Sequence, residues 1–151
     1  MLLVGILAFF VLNAFGQLVS NHKVVFYSPK TFQGHNQTWQ TLQTNNGVMY
    51  FANGDGLLNY DGSAWSLSLT AMHTNMLSVG VDQNERIYYG AIGEVGYFEK
   101  DRFGGLHAVQ ITNDEWAENM LAEFYWDIHV FENRVIFRAE HLFLIYEDDK
   151  C

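Results

Sequence analysis

The chain has one proline and one cysteine among its 151 residues. A single thiol, at Cys151, excludes an internal disulfide and a four-cysteine zinc site. Positive charge is scarce: 8 lysines and arginines stand against 17 aspartates and glutamates, a net charge of −9. An acidic body repels phosphate backbones and anionic membrane surfaces, so nucleic acid is not an expected partner. The longest apolar run, residues 2–12, is too short for the roughly 20 residues that span a bilayer as a helix. Also absent are the His-Glu-x-x-His helix of zinc proteases and the Gly-x-Ser-x-Gly elbow of serine hydrolases. Gly54 and Gly56 lack the third glycine of a dinucleotide loop, and Asn53, Asp55, Asn59 and Asp61 lack the closing glutamate of a calcium loop. The histidines are scattered, and His129, among alternating apolar neighbours, reads as a hydrogen-bonded strand histidine. The chain is not read as an enzyme, and no cofactor or metal is expected.

What is abundant is aromatic residues, at 16%, and glycine, at 13 residues. They are ordered as a repeat. Met49-Tyr50-Phe51-Ala52 recurs 38 positions on as Ile87-Tyr88-Tyr89-Gly90, and 48 positions further as Val135-Ile136-Phe137-Arg138. At the same offsets Leu57, Val95 and Phe143 correspond, as do Tyr60, Phe98 and Tyr146, each of the last three followed by an acid. Every unit holds two short runs of aromatic and β-branched residues, which read as strands. Glycine, asparagine and aspartate between them supply the positive φ of tight turns, most clearly at Gly54-Asp55-Gly56. A further strand precedes each unit (39–44, 76–82, 126–131), and another follows the first two (64–69, 106–111). Four strands at a period near 40 are the mark of a β-propeller blade, with a β-sandwich as the alternative. The expected fold is all-β: about three four-stranded propeller blades in an incomplete ring, with one short inserted helix.

Taken in order, residues 1–16 read as a signal peptide, with small residues at Ala14 and Gly16 but no Lys or Arg ahead of the apolar run. A buried strand or an uncleaved anchor is the alternative. Residues 17–38 are an N-terminal extended segment in which 24–27 has the composition of a strand and Tyr27-Ser28-Pro29-Lys30 starts a loop. Residues 39–151 are the partial propeller, with repeats near 39–69, 76–111 and 124–146. Trp39 and Trp65 are expected to pack between blades, with a sugar-stacking platform as the alternative. Between the second and third repeats, 112–123 breaks the β pattern. Trp116, Ala117, Met120, Leu121 and Phe124 share one face of a helix, and Thr112 with Glu115 fits a capping box. Three blades do not close a ring, since propellers use about four to eight, so the chain reads as the N-terminal part of something longer.

The pattern Met-Tyr-Phe-x-x-x-x-Gly-Leu-Leu-x-Tyr-Asp-Gly-x-x-Trp at 49–65 resembles the two-component regulator propeller repeat, and so does 81–91. Residues 27–30 and 126–130 are similar to the first blades of such sensors, and the resemblance covers about 26–146. It implies a periplasmic or extracellular, ligand-sensing propeller, several relatives of which sense oligosaccharides. It also implies downstream signalling domains on the same longer chain, behind a membrane helix.

In a propeller the loops between second and third strands, and those between blades, meet on one face. Here that places Asn53, Asp55, His73, Asn75, Glu94, Trp116 and His141 together as candidate ligand-binding residues. The expected function is recognition of a small molecule, an oligosaccharide, by a sensor segment that is a candidate dimer. The alternatives are a fragment of a secreted propeller lyase or hydrolase, and a protein-binding scaffold.

Overall fold

A computed structural model describes residues 23–111 and 117–147. The signal-peptide segment, the capping box at Thr112 and Glu115, Trp116 and Cys151 lie outside the described residues. Among the described residues eleven strands form three antiparallel sheets in which neighbours in sequence are neighbours in space. The first holds β1 (Thr38–Gln43), β2 (Met49–Asn53), β3 (Gly56–Tyr60) and β4 (Trp65–Ser68). The second holds β5 (Met76–Val81), β6 (Ile87–Ala91), β7 (Val95–Lys100) and β8 (Leu106–Gln110). The third holds β9 (Asp127–Val130), β10 (Arg134–Arg138) and β11 (Phe143–Glu147).

The repeat read from the sequence is a repeat of register. Met49 pairs with Tyr60, Ile87 with Phe98 and Val135 with Tyr146. The first strands of the first two sheets even share a bulge, at Thr38/Gln40 and Met76/Ser78. A bulge leaves one residue unpaired, and in β1 that residue is Trp39.

The sheets stack face to face. Tyr50, Ala52 and Leu57 of the first meet Met76, Val79, Ile87, Tyr89 and Phe98 of the second. Tyr88 and Val95, on the other side of the second, meet Ile128, Val135, Phe137 and Leu144 of the third. The middle sheet is thus covered on both faces, and all five residues of β6 are buried. This is why its sequence is a continuous apolar run and not an alternating one. The first strands lie side by side, β1 against β5 and β5 against β9. Gln40 Oε1 accepts the Val79 N–H at 2.9 Å, which satisfies a donor on the edge of β5.

The turn between β1 and β2 places Gly47 at φ 87. Its equivalent in the second sheet is Glu85, at φ 61. A Cβ on Gly47 would touch nothing, so substitution there costs backbone energy only. Gly47→Ala is expected to destabilise the fold by about 1 kcal/mol, a few degrees in Tm. A melt that matches the wild type would contradict the turn as described.

Several sequence expectations are corrected. Residues 24–27 belong to no strand, and Val24 and Phe26 are 90% and 86% exposed. In place of a loop, Pro29 opens a one-turn helix, α1 (Pro29–Phe32), where its fixed φ suits a first helical position. The inserted helix is a single turn, α2 (Ala117–Met120), and its expected apolar face is split: Met120 is buried while Leu121 and Phe124 are exposed. Trp65 does not pack between sheets. It lies on the outward face of the first sheet, under Tyr27 and Phe32 and against Phe51 and Tyr60, at ring separations of 4.6–5.6 Å. Leu58, on that same face, is 2% exposed.

Candidate functional site

Antiparallel pairing brings one set of loops to one end of the stack: 53–55, 69–75, 92–94 and 139–142, with the start of β1 and of β9. This is the end at which the sequence places the candidate ligand residues. They divide into two kinds.

Asn53 and Glu94 are fully buried. Asn53 Oδ1 accepts the N–H of His35 at 2.9 Å and of Asp55 at 3.2 Å. Its Nδ2 donates to the carbonyls of His35 and Gln37 and to Thr38 Oγ1, at 2.8–3.2 Å. Glu94 receives the Met72 N–H on both carboxylate oxygens, the Thr74 hydroxyl at 2.7 Å and the Tyr89 hydroxyl at 3.1 Å. Each side chain therefore fastens the crossover entering a sheet to that sheet's second turn. A third staple does the same between the last two sheets. Glu123, nearly buried, accepts the His141 N–H at 3.3 Å and lies 3.4 Å from His141 Nδ1. Asn53 and Glu94 have no surface that a dissolved ligand can touch, so they shape this end of the molecule from within.

Asp55, His73, Asn75 and His141 are exposed on the rim. His73 sits at φ 58, with its N–H bonded to the Thr70 carbonyl. The Asn75 carbonyl accepts the Ile92 N–H, and Ile92 bridges to Phe124. Asn75 and His141 are thus each one short link from Phe124, whose neighbour Glu123 holds His141.

Phe124 opens onto a feature the sequence reading did not assemble. Its ring stacks on Trp126 at 5.8 Å and 13°, and Trp126 meets Trp39 edge-on at 5.7 Å. The three rings come from the first sheet and from the crossover into the third, and each is between a third and a half exposed. This corrects the expectation that Trp39 packs between blades. A partly exposed aromatic cluster of this kind makes this surface the candidate site. The bulge alone does not mark this surface, since Leu77 at the equivalent bulge of the second sheet is buried, and the sequence carries no local signal for it.

The opposite end holds a cleft of about 600 Å³ between the second and third sheets, lined by Asp82, Asn84, Tyr88, Phe131, Arg134 and Tyr146 among others. The turns at this end differ by one residue. The first two turns close from residue 44 to 48 and from 82 to 86, whereas the third closes from Phe131 to Arg134. Asn46 Nδ2 reaches Glu85 at 3.1 Å and ties the first two turns together; no such bond joins the second turn to the shorter third among the described residues. Three His, Cys, Asp or Glu side chains placed to hold a metal ion are not found among the described residues.

Under the rim lies Tyr125, fully buried, with no hydrogen-bond partner for its hydroxyl. Burial first, and the Glu123 charge second, push this hydroxyl up to about 12. Tyrosine in the unfolded chain ionises near 10. The contribution is therefore intact below pH 10 and is lost as pH rises toward 12. Tyr125→Phe removes an unsatisfied polar atom. It is expected to stabilise the protein by about 1 kcal/mol in thermal melts and to flatten the loss of stability above pH 10. A lower Tm would show that the hydroxyl has a partner.

No family model matches the chain, and no curated protein matches it.

Proposed function

We propose that the three sheets are blades of a β-propeller and that the chain is a ligand-recognising segment of an exported sensor. Its ligand is an oligosaccharide, and its output is carried by signalling domains elsewhere on a longer chain, as its resemblance to two-component regulator propellers implies. One observation carries the reading: the exposed Trp39, Phe124 and Trp126 rings, gathered from the first sheet and from the crossover into the third. A pyranose presents an apolar C–H face and a rim of hydroxyls. The rings suit the face, and the exposed Asn75 and His141, linked to Phe124 through Ile92 and Glu123, suit the hydroxyls. The acidic body suits a neutral ligand better than an anionic one. A stack of sheets with loops gathered at one end offers a rigid frame and a variable surface, which is the division of labour a sensor needs.

The test is calorimetric titration with a panel of neutral oligosaccharides. Binding is expected, and Trp39→Ala and Trp126→Ala are each expected to weaken it at least about tenfold, the loss typical of a buried aromatic anchor. Both residues are partly exposed, so their removal leaves the sheets intact. Unchanged affinity in both variants, or binding by none of the panel, overturns the reading.

A further inference from the structure

At the end opposite the rim, a contact between neighbouring turns is made once and not twice among the described residues. Asn46 Nδ2 donates to Glu85 at 3.1 Å, so a donor from the first sheet meets a carboxylate from the second. The counterpart of Asn46, 38 positions on, is Asn84. The third turn, one residue shorter, carries Glu132 and Asn133 at its tip. The cleft of about 600 Å³ separates them, with Asn84 on one wall and Glu132 and Asn133 on the other. That volume lies within the range of small-molecule sites, about 300–1,000 Å³.

The lining has a chemical bias. Asp82 on the first wall and Glu132 on the second are carboxylates, and no ion pair among the described residues takes up either. Asp82 Oδ1 accepts the N–H groups of Asn84 and Arg86, each at 2.8 Å, which fixes the carboxylate within its turn. Arg134, the one cationic side chain among the described lining residues, is engaged by Glu147 at 3.4 Å. The base is aromatic. Tyr88 is buried there with its ring 6.5 Å from that of Tyr146, and Phe131 is exposed at the margin.

Carboxylates on opposite walls over an aromatic base match an ammonium group. Its N–H groups donate charge-assisted bonds to the carboxylates, and its charge is attracted to π faces. An anion is repelled by both walls, and a neutral hydroxyl gains weaker bonds there. The net charge of −9 draws cations toward the protein. The second sheet already holds one cation on a ring: the Arg86 guanidinium lies 4.9 Å from the centre of Tyr97, which meets Tyr88 edge-on at 6.3 Å.

We infer that this cleft is a second binding site, for a small organic polyamine whose ammonium groups bridge Asp82 on the second sheet and Glu132 on the third. The ligand supplies between the second and third turns the donor that Asn46 supplies between the first two. Held by both sheets, it also tightens their junction. The inference rests on the cleft and its charges, and not on the sugar reading of the rim.

The test is calorimetric titration of the intact chain with spermidine at about 20 mM salt, where screening is weak. Saturable binding of one spermidine per chain is expected, with a raised Tm, since a ligand bound only by the folded state stabilises it. Glu132→Gln is expected to weaken binding about tenfold, the worth of one charge-assisted bond, and Phe131→Ala a few-fold. Both residues are exposed on a turn, so the sheets stay intact. Glu140→Gln, which removes the same charge at the loop end, is expected to leave the affinity unchanged. Absence of saturable binding overturns the inference. An equal loss in Glu132→Gln and Glu140→Gln also overturns it, because the attraction would then be diffuse. So does displacement of spermidine by maltotriose, which would make the cleft a neutral sugar site. Failure of spermidine to bind leaves the titration of the rim as it stands.

Discussion

Gly90→Val is expected to cost about 3 kcal/mol or more and to pull the urea midpoint down sharply, with Gly47→Ala as the mild control. Gly90 lies in the middle of β6, where the chain entering the third sheet is laid across it. A Cβ there would collide with Ser78 Oγ and come within 2.8 Å of the Tyr125 Cβ and 2.9 Å of its carbonyl oxygen. Two of those three neighbours belong to Tyr125, held by a 2.7 Å bond from the Ser78 hydroxyl to its carbonyl and by its own N–H to Ala91. Neither side gives way without breaking a bond, so the usual overpacking cost applies in full. Against a total stability of about 5–15 kcal/mol, that is a large share. The contrast separates two reasons for glycine. At Gly47 the backbone needs the residue; at Gly90 the neighbouring sheet does. Equal midpoints for Gly90→Val and wild type would mean that the second and third sheets do not meet as described.

Glu94→Ala is expected to destabilise the fold on the order of 3 kcal/mol. Removing the carboxylate strands the Met72 N–H and the hydroxyls of Thr74 and Tyr89 in a buried site. Each unpaired buried donor costs about 1–3 kcal/mol, relieved in part where a donor swings to another acceptor. The crossover that joins the first two sheets loses its anchor. A second measurement separates this from a generic cavity. Burial, and then the Glu94 charge, hold the Tyr89 hydroxyl well above its ordinary range. That contribution is intact below pH 10, where unfolded tyrosine is still neutral, and is lost as pH climbs beyond it. In Glu94→Ala the charge is gone, so the alkaline loss of stability is expected to shrink. A variant with wild-type stability would show that Met72 and Thr74 are held by something else.

How much of this was legible beforehand follows the range of each interaction. The strands of the three sheets were, nearly to the residue, though not 24–27, because alternation and turn glycines act within a few positions. The shared register of Tyr60, Phe98 and Tyr146 was legible for the same reason: a repeat constrains each copy alike. Partners distant in sequence were not. Glu94 looks like a turn acid in the string Ile-Gly-Glu-Val, and nothing nearby announces that Met72 and Thr74 will fold over it. Trp65 reads as a core residue, and it is covered, but by an N-terminal segment that passes for a loop. Topology alone gathered the candidate ligand residues, apart from Trp116 outside the described residues, at one end of the molecule. Which of them are exposed depended on side chains arriving from elsewhere. The Trp39, Phe124 and Trp126 surface needed two sheets to be set side by side before it existed.

The positions of the tryptophans have a further consequence. Trp39 and Trp126 stand on the rim and Trp65 under the N-terminal cap, while the doubly covered middle sheet has none. Ultraviolet emission from these three indoles is therefore blind to the deepest part of the molecule and responsive to its margins. Trp39 and Trp126 are close enough, at 5.7 Å between rings, for their electronic transitions to couple. A dichroic couplet from that pair would rise and fall with the geometry of the rim, while amide signals follow the sheets. The protein carries an optical gauge of one surface, separable from the readout of its folding.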